Sequence, residues 1–177
     1  GDEKYLEWAV QIGEHFLGDA FPLDSHYLRL RDHGCEIVSG LCELYVTLSF
    51  ADIERKQFFS ERLNKLLDYL LEEGRNEDGL FYNAINPRTN DVVQSGIADT
   101  WGYTLNGFYT VYMVDSTERY QDAVRTVFSN LHKYRNHNWE NLGADGYADA
   151  IEGALNLYNR MRDQRAANWI DSEIGIM

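Results

Sequence analysis

The chain has 177 residues, of which 44% are hydrophobic and 14% aromatic, which is enough for one domain with a substantial core. Its formal net charge of −13 would repel a phosphate backbone, which excludes a nucleic-acid partner and disfavours strongly anionic membranes. No apolar run reaches the ~18 residues of a membrane-spanning helix, so we expect no membrane span.

The compartment is not fixed by the sequence. No secretory leader is recognisable, and a start at Gly-Asp-Glu without Met predicts a processed chain, so a periplasmic or extracellular location is expected if a leader has been removed. Cys35 and Cys42 lie seven residues apart, ~10 Å along one helix, which is too far for a disulfide between them. Both are predicted to be free, buried thiols, which neither demands nor excludes an oxidising compartment.

Helical periodicity covers most of the chain, which holds only two prolines, Pro22 and Pro87. One kind of segment carries an apolar stripe and a charged face and predicts amphipathic helices, at about 3–17, 54–73 and 117–135. The other kind lacks a charged face and is expected to be covered on most sides, at about 33–50, 98–114 and 146–160. The two kinds alternate along the chain, and a further helix is predicted from about residue 165.

A spaced motif recurs in the three uncharged segments. An Asp is followed after seven residues by Gly and after four more by Tyr, at Asp32/Gly40/Tyr45, Asp99/Gly107/Tyr112 and Asp145/Gly153/Tyr158. The Gly costs about 1 kcal/mol of helix propensity relative to Ala and is expected where another helix passes closely. The Tyr is expected on the buried side with a partner for its hydroxyl. The Asp is expected to cap the helix start.

The links between segments alternate in length. Links that leave an uncharged segment are short, and links that enter one are long, so in antiparallel hairpins all long links fall on one face. The N termini of the uncharged helices open on that same face. The longest link contains GLFYNAINPRTNDVV at 79–93, which predicts a β-hairpin with strands at 80–85 and 91–93.

This organisation resembles the (α/α)6 toroid, the six-hairpin fold of many glycoside hydrolases and some polysaccharide lyases and sugar epimerases. The likeness is carried by DHGCEIVSGLCELY, DTWGYTLNGFYTVY and DGYADAIEGALNLY as inner helices, and by DGLFYNAINPRTNDV at 78–92 as the hairpin between an outer and an inner helix. It implies an all-α domain over residues 1–177, with sugar bound where the inner helices start. Because six hairpins need about twice this length, it also implies a toroid that is incomplete at its C terminus.

Three carboxylates are the candidates for catalysis, namely Asp99, Asp32 and Asp145. In the ring arrangement they converge on one face, and glycosidases need two carboxylates about 5–10 Å apart, one protonated and one ionised. The alternative for each is a helix cap without a catalytic role.

Four ring-bearing side chains follow these Asp residues and are the candidates for substrate binding: Trp101, Tyr103, His33 and Tyr147. Aromatic rings stack on the C–H faces of sugars, and Trp and Tyr add a polar group. His33 beside Asp32 is also a candidate proton carrier. The alternatives are packing between neighbouring helices for the aromatic residues and a surface position for His33.

Three further carboxylates lie one or two turns inside the helices that lack a charged face. They are Glu36, Asp149 and Glu152. A carboxylate in a covered helix is expected to be paired or to have a perturbed pKa, and a catalytic role is the alternative for these three. For Glu36 we expect a partner in Arg29 or Arg31.

The leading hypothesis is a carbohydrate-active protein, glycoside hydrolase-like or polysaccharide lyase-like, that acts on a poly- or oligosaccharide. The acidic charge favours a neutral glycan over a uronate-rich one. The alternatives are a non-catalytic helical module for binding or assembly, and a sugar epimerase or isomerase that transfers protons through His. No metal or cofactor is expected, because the His residues form no cluster such as H-E-x-x-H and no phosphate loop or G-x-S-x-G motif occurs. An exposed apolar edge of the incomplete ring would favour a homodimer.

Overall fold

The computed structural model describes residues 3–139 and 143–176. Within them the protein is mostly helical (70%), with seven α-helices and one small antiparallel sheet. The helices are α1 (Glu3–Leu17), α2 (His33–Ala51), α3 (Ile53–Glu73), α4 (Trp101–Asp115), α5 (Glu118–Asn130), α6 (Ala144–Met161) and α7 (Gln164–Ile174). Short 3-10 helices span Pro22–Asp24 and Leu131–Tyr134. The predicted helical class is thus confirmed.

The sheet extends the predicted hairpin by a third strand. Its strands are β1 (Leu28–Arg29), β2 (Tyr82–Asn86) and β3 (Asp91–Ile97), and β2 lies in the middle. The hairpin at 79–93 is confirmed, although β3 runs to Ile97, beyond the predicted end. β1 was not predicted because a two-residue strand shows no alternation of its own.

The helices pack in two layers. The front layer consists of α2, α4 and α6 side by side, and the back layer of α3, α5 and α7, each packed against the front helix that precedes it. The front helices α4 and α6 are parallel, because Tyr103 contacts Asp149 near their N termini and Thr110 contacts Arg160 near their C termini. α1 packs against α2 and α3 at one edge.

The three motif glycines have two different environments. A Cβ built on Gly153 would lie 2.7 Å from the Cα of Gly102, and one built on Gly107 would lie 3.1 Å from the Sγ of Cys42. These two glycines therefore lie at close helix crossings, as predicted. For Gly40 the prediction is wrong, since nothing lies within 4 Å of its built Cβ. That side of α2 faces away from α4 and is open.

The motif tyrosines are buried to different degrees. Tyr45 is 3% exposed and its hydroxyl donates to Asp115 Oδ2 at 2.7 Å, which confirms the expected partner. Lys56 Nζ donates to the other oxygen of Asp115, so the C-terminal ends of α2 and α4 are tied to α3. Tyr112 and Tyr158 are only half-buried.

The core between the layers is rich in aromatic residues. Trp169 contacts both Trp101 and Trp139 edge-to-face, with ring centroids 6.1 and 6.2 Å apart. Cys35 and Cys42 are free and buried, as predicted. Burial raises the pKa of the Cys42 thiol well above its ordinary value, so this thiol is unreactive in the folded protein.

One helix in the described part of the chain, α2, is long and apolar enough to cross a membrane by length and composition alone. Its place in the front layer explains its apolar character, and a membrane span is not indicated. Apolar side chains are exposed elsewhere, notably Tyr5, Trp8 and Ile12 on α1. The homodimer remains a prediction.

A buried carboxylate fixes the turn that leads into the sheet. Asp78 is 8% exposed and accepts hydrogen bonds from Lys133 Nζ and from Tyr134 Oη at 2.9 Å. The hydrogen bond from Lys133, aided by Tyr134, holds the pKa of Asp78 below its ordinary value. A depressed folded-state pKa gives stabilisation that is present above the unfolded-state pKa and is lost as the pH falls through the folded-state pKa.

We therefore expect Asp78→Asn to lower the free energy of unfolding at pH 7 by about 1–2 kcal/mol, because a charge-assisted hydrogen bond is lost. The variant should also lose less stability than the parent between about pH 5 and pH 2. Urea denaturation across this range measures both effects. The control is Asp122→Asn, which removes an exposed carboxylate on α5 and should change stability by less than about 0.5 kcal/mol. Equal pH profiles for the parent and Asp78→Asn would contradict the assignment.

Candidate functional site

A groove of about 880 Å³ lies along the outward face of the front layer. Its polar lining includes the carboxylates Asp32, Glu36, Glu43, Asp145 and Asp149 and the amides Asn106, Asn156 and Asn159. The expectation that the uncharged segments are covered on most sides is wrong for this face. On this outward face, uncharged polar residues lie between a small number of acidic residues. The face is therefore exposed to solvent although the helices carry few charges.

The groove brings together four of the seven predicted site residues, Asp32, His33, Tyr103 and Asp145. The other three are beneath the surface: Asp99 is 2% exposed, Trp101 0% and Tyr147 8%. The roles predicted for these seven residues are not decided by their placement alone.

Asp32 lies at the N terminus of α2 in an unusual backbone conformation, with φ 44° and ψ −131°. Its side chain makes no cap hydrogen bond; it pairs instead with Arg29 and with Nε of Arg31 at 3.3 Å. Glu36 was expected to pair with Arg29 or Arg31, but its ion-pair partner is His33, while Arg29 pairs with Asp32 and Arg31 lies beside Asp32 and Asp99. Glu36 Oε2 lies 3.0 Å from Nδ1 of His33.

Asp99 and Asp145 are not helix caps either. Thr100 occupies the cap position of α4, and the buried Oδ1 of Asp99 accepts from the Thr100 backbone N–H at 2.9 Å. Arg31 Nη2 is 3.8 Å from Asp99 Oδ2. Asp145 lies inside the first turn of α6, which begins after Gly143, and its side chain is exposed. The carboxylates still complement the positive ends of these helices.

The most constrained group in the groove is the hydroxyl of Tyr103. It lies 2.8 Å from Glu152 Oε2 and 3.2 Å from Asp149 Oδ1, both on α6. Burial and these two carboxylates raise the pKa of Tyr103 well above its ordinary value, so the phenol keeps its proton. The expected pairing of Asp149 and Glu152 is confirmed.

The carboxylate pair is the part of the site that the sequence-based assignment did not select. Asp145, Asp149 and Glu152 are spaced i, i+4 and i+7, which places them on one face of a helix. That spacing was a usable signal, but it does not show that Tyr103 of the neighbouring helix faces it. The two oxygens share one hydroxyl, so they are at most about 6 Å apart, which is less than the ~6.5–9.5 Å between the carboxyl groups of inverting glycosidases.

A second polar cluster lies at the other end of the groove. Arg160 Nη1 donates to Thr110 Oγ1 at 2.5 Å and to the backbone oxygen of Asn106 at 3.3 Å. Thr110 Oγ1 in turn donates to Glu43 Oε1 at 3.2 Å. The guanidinium is thus held by α4 and is connected to Glu43 through the Thr110 hydroxyl.

The floor of the groove contains Cys35 and Thr100, each 2% exposed. Burial raises the pKa of the Cys35 thiol, and the charges of Glu36, Asp149 and Asp99 raise it further. Cys35 is therefore a poor nucleophile. Within residues 3–139 and 143–176 no group of three or more His, Cys, Asp and Glu side chains is placed to hold a metal ion. The groups available in the groove are carboxyl groups and the His33 imidazole for proton transfer, and amides for hydrogen bonding.

Comparisons with family models, with curated proteins and with solved structures return no match for this chain. A function therefore has to be argued from the groove itself.

Proposed function

We propose that this protein is carbohydrate-active and hydrolyses a glycosidic bond in the groove of the front layer. The observation that carries the proposal is the pair of carboxylates, Asp149 and Glu152, brought together at the hydroxyl of Tyr103. The proposal includes the fold: α2, α4 and α6 would be inner helices, and α3, α5 and α7 outer helices, of an (α/α) toroid or a part of one. Parallel front helices and hairpin connections support that arrangement.

The proposed chemistry uses one carboxyl as an acid and the other as a nucleophile. The acid donates its proton to the glycosidic oxygen as the bond from the anomeric carbon to that oxygen breaks. A separation of at most about 6 Å fits the retaining arrangement, in which the second carboxylate attacks the anomeric carbon and water later releases the sugar. Tyr103 holds both groups in position, and Asn156 and Asn159 supply hydrogen bonds to sugar hydroxyls.

The catalytic residues predicted from the sequence have supporting roles in this proposal. Asp145 lies one turn before Asp149 on α6 and lines the same groove, so it is the next candidate for the acid. Asp32 lies at the opposite wall with its charge balanced by Arg29 and Arg31. Asp99 supports the turn into α4 from below rather than contacting sugar.

Removing the charge of either carboxylate should abolish turnover. We expect Glu152→Gln and Asp149→Asn each to lower the rate of reducing-sugar release by at least about 100-fold, with the helical circular dichroism unchanged. Glu61→Gln, an exposed acid on α3 outside the groove, is the matched control and should leave the rate unchanged. Parent-like rates in both the Glu152→Gln and the Asp149→Asn variants would refute the role of the pair. Glycan binding by the parent protein without any turnover would instead support the binding module.

A sugar epimerase is the second candidate, on the strength of His33. Its imidazole lines the groove and contacts Glu36, which is a proton-carrying arrangement. An epimerised product, lost on His33→Ala and retained in Glu152→Gln, would favour this candidate over hydrolysis.

A further inference from the structure

The edge of the front layer at α2 carries an open apolar trough. The trough has a volume of about 360 Å³ and lies between α1 and α2, and its lining includes Ile12 and Phe16 of α1 and Ile37 and Gly40 of α2. Ile12 is 50% exposed, and among the described residues nothing lies within 4 Å of a Cβ built on Gly40. An apolar helix face normally packs against another element, so this trough is shaped for a further helix.

The opposite edge of the front layer, on α6, carries an apolar stripe. Its positions are spaced i, i+4, i+7, i+11 and i+14 and are all uncharged: Ala144, Ala148, Ile151, Leu155 and Tyr158. They lie roughly 140–180° around the helix axis from Gly153, which contacts α4. Leu155 is 43% exposed, and α6 packs against α4 and α7 on its other sides. The stripe therefore faces the place where the next front helix of the layer would lie.

The motif glycines indicate what kind of helix the trough accepts. A Cβ built on Gly107 of α4 would lie 3.1 Å from the Sγ of Cys42 on α2. One built on Gly153 of α6 would lie 2.7 Å from the Cα of Gly102 on α4. In both cases the motif glycine lies against the front helix that precedes it. Gly40 has the same position in α2, and no front helix precedes α2 in the described residues. The element suited to this edge is therefore the uncovered side of a front helix, and α6 has such a side.

We propose that the trough between α1 and α2 binds α6 of a second copy of this chain. Each copy offers its own α6 and accepts that of its partner, so the contact is heterologous, and a two-fold axis parallel to the front helices closes it into a dimer. The dimer has a ring of six front helices, three from each copy. This inference rests on the inner and outer helices of the proposed function and adds the partner that completes them. In the ring the grooves of the two copies face each other, so the partner supplies the opposite wall of the site.

The exposed area at the trough comes close to what a stable dimer needs. A standard interface buries ~1,200–2,000 Å² in total, and two equal contacts divide this into ~300–500 Å² per copy at each contact. Trp8 and Tyr5, one and two turns before Ile12 on α1, are 65% and 62% exposed. With ~150–250 Å² for each aromatic side chain, these two offer roughly 190–320 Å² before the trough itself is counted.

The charges at the two edges allow this contact despite a net charge of −13 on each copy. The polar side chains in the trough lining are His33 and Glu36, whose ring nitrogen and carboxylate oxygen are 3.0 Å apart and pair with each other. The stripe on α6 brings no charge against them. Repulsion between the copies is therefore long-range, and association should strengthen as added salt screens it.

Sedimentation velocity of the 177-residue chain tests the dimer directly. We expect a species with twice the 20.5 kDa mass of one chain to dominate at about 10–100 µM and to dissociate on dilution. The fraction of dimer should rise as NaCl increases from about 0.02 to 0.2 M.

Substitutions on the two edges show which surfaces meet. Ile12→Lys on α1 and Ala148→Glu on α6 change exposed residues, so each variant should keep the helical circular dichroism of the parent. Each should weaken self-association by at least about 10-fold, because it places a charge in an apolar contact. A mixture of the two should dimerise to within about threefold of the parent, because one contact is then unmodified and the other brings Lys against Glu. Gly40→Ala should also loosen the dimer, since its methyl group enters the contact, whereas in the separated copy it favours the helix. The matched control is Val93→Asp on β3, which is 48% exposed and should leave association unchanged.

Each other outcome has a defined meaning. A monomer at every concentration up to about 100 µM overturns the inference. A dimer that Ala148→Glu leaves intact, or a mixture of variants that stays monomeric, also overturns it, since either means that α1 and α6 do not meet. Species that grow beyond two copies overturn the closed ring. A dimer without sugar turnover refutes only the proposed hydrolysis, whereas turnover by a strict monomer refutes only the dimer.

Discussion

Gly153→Ala is expected to lower the free energy of unfolding by about 2–3 kcal/mol, one of the largest effects of adding a single methyl group in this protein. The new Cβ would lie 2.7 Å from the Cα of Gly102, a backbone atom of α4 that cannot rotate away. Either α4 and α6 move apart or the contact stays overpacked. Gly102→Ala should behave alike, since its Cβ would lie 2.5 Å from the Cα of Gly153.

The control for this prediction is the equivalent glycine of the first motif copy. Gly40→Ala adds the same methyl group in the middle of a front helix, where nothing lies within 4 Å. It should raise the free energy of unfolding by about 0.5–1 kcal/mol through helix propensity alone. Urea denaturation with matching m-values would measure the three variants. Similar destabilisation by Gly40→Ala and Gly153→Ala would show that helix contact is not the cause.

Trp101→Ala should have the largest effect on stability, a loss of about 3–5 kcal/mol. The indole is 0% exposed and packs edge-to-face on Trp169 of α7, so its removal leaves a large cavity between the layers. Tyr103→Phe, two residues further along α4, removes only a hydroxyl at the groove. We expect its stability to change by less than about 1.5 kcal/mol, while turnover falls because Asp149 and Glu152 lose their shared donor.

The pair of variants separates packing from ligand contact. Denaturation curves and rates of sugar release should be collected on the same preparations. A stable Trp101→Ala protein with impaired sugar binding would contradict the buried placement of this indole. A Tyr103→Phe protein with parent-like turnover would remove Tyr103 from the proposed site.

The fold was largely predictable because periodicity is a local property. The alternation of amphipathic and uncharged segments predicted the helices of both layers, and the Asn-Pro-Arg-Thr-Asn turn predicted the hairpin. The close crossing at Gly153 followed from its low helix propensity. Gly40 has the same spacing in the motif but no neighbour, because a motif does not show which helices are present to pack against it.

The site was less predictable because exposure depends on neighbours. Asp99 and Trp101 are at a helix start, as expected, but both are buried, and Trp101 packs on Trp169 of α7. Asp145 lies at the start of α6, where the surface is open. Asp149 and Glu152 lie 46 and 49 residues after Tyr103 in the sequence, so no local pattern could indicate that the three side chains meet.

The backbone at Asp32, on the wall of the groove, is strained. Its φ of 44° and ψ of −131° belong to a region that glycine occupies easily and other residues occupy at a penalty of about 1–3 kcal/mol. The chain nevertheless places a charged side chain there, clamped by two arginines at the groove wall. A sequence shaped for folding stability alone would favour glycine at this position. The strained aspartate and its two arginines therefore fix the groove wall at the end where the front helices begin.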